Sequence, residues 1–158
     1  MPGAENDIKK KIYLVQEKWA KGIVDIGTAY MKKEDFVNLT EKFIANLYFF
    51  GEYKILFKPT KASKIQFRRR KNEFLSYFVG YNKVSDEDKG FALEPWKEVK
   101  FEPFDFCTYG DFILSIGNYS FINYNNIQTK VEYSFGYVPD KNGQLRIVFH
   151  HSSLPFKS

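Results

Sequence analysis

From Ile8 the apolar side chains recur at Ile12, Val15, Trp19, Ile23, Ile26 and Tyr30. Steps of three and four residues predict one face of an amphipathic helix. Asn6 or Asp7 is suited to cap its start, and Lys9, Lys10, Glu17, Lys18 and Lys21 fall on the wet side. A second stripe, Phe36, Thr40, Phe43 and Leu47 with Val37, Ile44 and Tyr48 beside it, predicts another helix. Glu34 and Asp35 favour its start, and Gly51 is placed to end it. Tyr53 to Phe57 reads as a short strand closed by Pro59. Phe67, Phe74 and Phe78 read as a third helix carrying Arg68-Arg69-Arg70-Lys71 on its outer side.

After about residue 90 the period changes to two. Val99 and Phe101, then Phe112, Leu114 and Ile116, then Tyr119 and Phe121, alternate with smaller or polar residues, as do Val131, Tyr133, Phe135 and Tyr137. That is the mark of strands with two different faces. The breaks at Tyr109-Gly110-Asp111, Asn123 to Asn126 and Asp140 to Gly143 are turn-like. Helices ahead of a run of closely spaced strands predict an α+β fold, with helices packed on one face of a mainly antiparallel meander. No internal repeat and no linker is evident, so residues 1–158 read as a single domain.

In the last strand Leu145, Ile147 and Phe149 alternate with Arg146, Val148, His150 and Ser152, and side chains two apart share a face. His150 and Ser152 are thus expected on one side, with His151 and Ser153 on the other. Taken alone, the two histidines read either as a strand end with satisfied hydrogen bonds or as pocket groups.

Composition narrows the chemistry. One Cys and two His in 158 residues leave no disulfide within the chain, and Cys107, His150 and His151 fall one short of a structural zinc cage. Adjacent strand histidines point apart, so they do not readily chelate one ion. Cys107 is expected to be a buried packing thiol. The net charge of +5 is mild. The runs Lys9 to Lys11 and Arg68 to Lys71 read as solvated faces, because the aromatics interleave with apolar partners and build no stacking platform for nucleic acid. Asp86-Glu87-Asp88-Lys89 reads as a solvated loop and Asp25 as a helix-surface carboxylate. No apolar run approaches the roughly 18 residues of a membrane span. There is neither a signal-peptide pattern nor an Arg- and Ser-rich transit segment at the start, no Walker-type phosphate loop and no GxSxG elbow.

Six segments together carry a family resemblance: "LFKPTKA" (Leu56 to Ala62), "LSYFVG" (Leu75 to Gly80), "GFAL.PW" (Gly90 to Trp96), "GNY.F" (Gly117 to Phe121), "KVEY.FGY" (Lys130 to Tyr137) and "HHSSLP" (His150 to Pro155). The chain resembles the calcium/calmodulin-dependent protein kinase II association domains of the nuclear transport factor 2-like superfamily. More closely, it resembles the iota-class carbonic anhydrases of algae and cyanobacteria, which carry this domain singly or as repeats. The resemblance implies a cone, a curved sheet wrapped against an N-terminal helix. It implies hydration of carbon dioxide to bicarbonate with no metal and no cofactor. The catalytic groups it implies are Thr60, Tyr77 and Ser152, with His150 and Ser153 as substrate-binding candidates. Parity favours Ser152 over Ser153.

An ordinary pKa near 6.5 makes His150 a candidate proton store, and Thr60 and Ser152 could donate to bicarbonate oxygens. Without a metal, turnover is expected below the roughly 10⁶ s⁻¹ of a zinc hydroxide. The expected partners are carbon dioxide and bicarbonate, and a second copy in a homodimer. The expected compartment is a plastid, with the transit segment absent from this sequence, or a bacterial cytoplasm. The competing readings are a non-catalytic oligomerisation module, as in the kinase hubs, and a small-molecule-binding cone without turnover.

Overall fold

A computed structural model describes residues 2–158, and Met1 lies outside them. Helix α1 spans Pro2–Met31, so Asn6 and Asp7 lie within it rather than at its cap. Ile12, Val15, Trp19, Ile23 and Ile26 are buried as their spacing requires, whereas Tyr30 is half exposed and packs edge-on against Phe36. Helix α2 spans Phe36–Leu47, and the Asp35 carboxylate accepts the Asn38 N–H at its start. The two helices approach closely at Gly22, where a Cβ would overlap the Phe43 ring. Asp25 pairs with Lys21 on the helix surface, as expected.

The sheet has the order β1-β5-β4-β3-β2, built from Leu56–Lys58 (β1), Trp96–Tyr109 (β2), Phe112–Asn123 (β3), Gln128–Pro139 (β4) and Leu145–Ser153 (β5). β2 to β5 form the predicted antiparallel meander, turning at Gly110, Asn126 and Gly143, all at positive φ. β1 is shifted from the predicted 53–57 to 56–58 and runs parallel to β5, which makes the sheet mixed. The helices lie against one concave face and enclose an aromatic core centred on Trp19, whose ring packs within 6.5 Å of Phe43, Phe78, Phe101, Tyr119, Phe121, Phe135 and His150.

Four sequence expectations are corrected. Helix α3 spans Lys71–Val79, which leaves Phe67 outside it and exposed. Arg68 is fully buried rather than solvated, and makes paired bonds to Asp88 of 2.8 and 2.9 Å, so the 86–89 segment is not a simple surface loop either. Cys107 is exposed, because the outer end of β2 has no element packed on that side chain.

Candidate active site

The last strand positions the site through a bulge. Tyr137 pairs with Ile147 and Gly136 with Phe149, which leaves Val148 as the extra residue. A bulge of this kind reverses the alternation beyond it. Leu145 and Ile147 therefore face the core, and so do His150 and Ser152 further on. Strict period two would have placed Ile147 opposite His150. His151 and Ser153 point away, and the Ser153 hydroxyl donates to Glu132 at 3.4 Å. Ser153, expected to bind substrate, therefore does not line the cavity.

Register explains the surroundings of His150. Its cross-strand partners are Phe57 on β1 and Phe135 on β4. These stack on its two faces with centroids 4.7 and 4.1 Å away. Both ring nitrogens meet tyrosine hydroxyls: Tyr48 lies 2.9 Å from Nδ1 and Tyr119 lies 3.0 Å from Nε2. Burial between apolar rings holds the imidazole well below its ordinary range, with repulsion from His151 adding to the effect. His150 is neutral at physiological pH and is a poor proton store, contrary to the expectation from its intrinsic pKa.

From Tyr119 the line of hydroxyls continues outward. The Tyr119 O–H donates to Ser152 Oγ at 2.6 Å, and Ser152 Oγ lies 2.5 Å from Thr60 Oγ1. Tyr77, from α3, accepts the Lys61 N–H at 3.2 Å. Burial pushes the phenols of Tyr48, Tyr77 and Tyr119 upward, so all three remain protonated. The hydrogen bond from the Lys61 N–H partly offsets this at Tyr77. Thr60, Tyr77, His150 and Ser152 thus converge as expected. They line a cavity of about 10 Å³ together with Trp19, Phe57, Phe78, Phe91, Tyr119 and Phe121. That volume matches about one water molecule. Among the described residues, no three His, Cys, Asp or Glu side chains cluster as metal ligands would.

Charged groups stand outside the cavity and fix its rim. Lys58 donates to the Ser152 carbonyl at 3.0 Å, holding β1 to the end of β5. The Glu87 carboxylate accepts the backbone N–H groups of Ser63, Lys64 and Ile65 at 2.7, 2.7 and 3.0 Å, which holds it down to about 2. Arg68 also donates to the Ile65 and Glu73 carbonyls, and Asp88 accepts the Ser76 hydroxyl at 2.6 Å. The loop that carries Thr60 is thereby tied to α3 and to the 85–90 segment. Tyr77 and Phe91, stacked at 5.6 Å, line both the inner cavity and an outer cleft of about 210 Å³. They form its wall toward solvent.

Tyr119 and Tyr48 were not singled out from sequence. Tyr119 is the tyrosine of "GNY.F", and its position two residues before the buried Phe121 was the available signal. Tyr48 follows the last turn of α2 and reads there as one more apolar flank.

The model of the family described as metal-independent carbonic anhydrase matches residues 10–154. A metal-independent carbonic anhydrase of Nostoc sp. (strain PCC 7120 / SAG 25.82 / UTEX 2576) is 34% identical over 152 residues, 94% of this chain and 74% of that relative. The crystal structure of the iota-carbonic anhydrase from a cyanobacterium, complexed with bicarbonate, superposes with a TM-score of 0.89 at 34% identity, covering 94% of this chain and 93% of that one. Two more distant structures share the fold alone. A putative calcium/calmodulin-dependent protein kinase II association domain from Xanthomonas campestris gives a TM-score of 0.58 at 14% identity over 93% of this chain and 87% of that one. A putative dehydratase of the nuclear transport factor 2-like family from Streptomyces avermitilis gives 0.62 at 10% identity over 98% and 99%. The fold is therefore nuclear transport factor 2-like, and by both the family match and the identity to its relatives the chain belongs to the metal-independent carbonic anhydrases.

Proposed function

We propose that the protein hydrates carbon dioxide, and dehydrates bicarbonate, in the cavity lined by Thr60, Tyr77, Tyr119, His150 and Ser152. The observation that carries this assignment is the line of hydroxyls Thr60–Ser152–Tyr119, with contacts of 2.5 and 2.6 Å, opening on an otherwise aromatic cavity. An apolar wall tolerates carbon dioxide, and fixed hydroxyl donors stabilise charge as it develops on the carbon dioxide oxygens. An assembly module has no need of such a set.

The electrostatics favour a reaction in which no protein group ionises. Water attacks the carbon, and one C=O electron pair moves onto its oxygen. That oxygen takes the hydroxyl proton of Thr60 or Ser152, and the same hydroxyl recovers a proton from the attacking water. The product is carbonic acid, which ionises to bicarbonate in bulk water. Holding the two reactants together and relaying the proton replaces the ionised water that a metal would supply. The cavity must widen to admit both reactants, and the Tyr77–Phe91 wall separates it from the outer cleft.

Initial hydration rates of Thr60→Ala, Tyr77→Phe and Ser152→Ala test the assignment. Loss of activity with retained fold supports it, whereas three variants at the parental rate sink it. A homodimer is proposed as well, supported by Phe104, Tyr109 and Ile116, which β2 and β3 leave 79, 68 and 49% exposed. Light scattering in solution reads the mass directly, and a monomer at all concentrations refutes it.

A further inference from the structure

On the Nδ1 side of His150 lies a contact that the hydration step does not use. The Trp19 indole N–H donates to the Tyr48 hydroxyl oxygen at 3.0 Å, and the same hydroxyl lies 2.9 Å from His150 Nδ1. Trp19, Tyr48 and His150 are all buried. An indole nitrogen can only donate. Trp19 therefore occupies a lone pair of Tyr48, and the Tyr48 proton must find an acceptor of its own. His150 Nδ1 is the partner within reach. Were Nδ1 to carry a proton, Tyr48 would accept twice and its own O–H would be buried without an acceptor, a costly arrangement.

We infer that Trp19 and Tyr48 are positioning residues that fix His150 as the Nε2–H tautomer. The consequence travels outward along the line of hydroxyls. Nε2–H donates to the Tyr119 oxygen at 3.0 Å, which frees the Tyr119 proton to donate to Ser152 at 2.6 Å. Ser152, having accepted that bond, either donates its own hydrogen bond to Thr60 or accepts one from Thr60 and turns its proton toward the cavity. In both cases the Thr60–Ser152 pair presents a hydroxyl proton to the substrate. The opposite tautomer would accept from Tyr119, turn that proton away from Ser152 and break the line. Trp19 thus sets the polarity of a chain that ends at the reacting atoms.

The effect on rate rests on the function proposed above, whereas the tautomer does not. The test is the long-range ¹H–¹⁵N spectrum of the histidine rings, simple here because the protein has two histidines and one of them, His151, is exposed. The wild-type spectrum is expected to show a neutral His150 with its proton on Nε2. In Tyr48→Phe, which removes one oxygen, the Nδ1 and Nε2 signals are expected to shift toward each other as the tautomers mix. The hydration kcat/KM is expected to fall about tenfold, the scale of one lost buried hydrogen bond. A wild-type Nδ1–H pattern overturns the inference without any variant. So does a Tyr48→Phe protein with an unshifted pattern, whatever its rate, whereas a shift with no loss of rate leaves the tautomer standing and overturns its link to hydration. Wild-type protein with the Nε2–H pattern and no hydration activity leaves the tautomer standing and sinks the proposed function instead.

Discussion

Tyr119 on β3 and Ser152 on β5 share a hydrogen bond of 2.6 Å across the intervening strand β4. The bond exists because the Val148 bulge turns Ser152 inward, opposite Tyr133 of β4, while Tyr119 reaches in from the next strand. Tyr119→Phe removes both the acceptor for His150 and the donor for Ser152. We expect a fall in hydration kcat/KM of about 10- to 100-fold with an unchanged circular dichroism spectrum. Activity at the parental level would show that the relay does not pass through Tyr119.

The neutral site predicts a distinctive pH behaviour. No group lining the cavity is expected to titrate between about pH 7 and 9, since burial moves His150 down and the tyrosines up. The hydration rate should be flat across that window. Stability behaves differently. Below about pH 6.5 the unfolded chain takes up a proton that buried His150 resists, so stability present above that pH is lost as the pH falls. The slope from this residue approaches about 1.4 kcal/mol per pH unit. Denaturant titrations of the wild type and His150→Gln at several pH values measure it, and an equal acid dependence in both would contradict it.

Asp88→Ala strands the Arg68 guanidinium in a fully buried position. The cost expected for breaking such a pair is about 3–5 kcal/mol, read as a drop in denaturation midpoint. The same change loosens the loop that carries Thr60, so activity should fall even in protein that remains folded at low temperature. A loss of unfolding free energy of less than about 1 kcal/mol would place the pair among weak surface bridges.

Much of this fold was legible because helix and strand leave different periods in the sequence. The α1 stripe from Ile12 to Ile26 and the alternation in β4 map directly onto buried faces. The turns between the long strands followed from their Gly, Asn and Asp residues. What escaped depended on neighbours distant in sequence. Val148 looks like any strand residue, and its extra count is set by pairing with β4. Arg68 sits in a basic run of ordinary appearance and is buried because Asp88, twenty residues on, meets it. The site was legible through "KPTKA", "LSYFVG" and "HHSSLP", which supplied Thr60, Tyr77, His150 and Ser152. Its supporting residues Tyr119, Tyr48 and Trp19 read as core aromatics, because a buried tyrosine used for its hydroxyl and one used for its ring look alike in one sequence.

Phe91 separates the inner cavity from the outer cleft, and Lys61 sits over its ring at 5.9 Å. Phe91→Ala should join the two spaces. The expected result is competitive inhibition of hydration by carboxylates bulkier than bicarbonate, such as benzoate, at concentrations that leave the wild type unaffected. Equal resistance in both proteins would mean that substrate enters elsewhere.

Stopped-flow hydration of carbon dioxide by chelator-stripped protein, its metal content verified, is the most direct test of a reaction carried by neutral hydroxyls. Stripped wild-type protein is expected to keep its full rate, and Ser152→Ala to lose at least about a hundredfold. A rate that disappears on stripping and returns with zinc would contradict it.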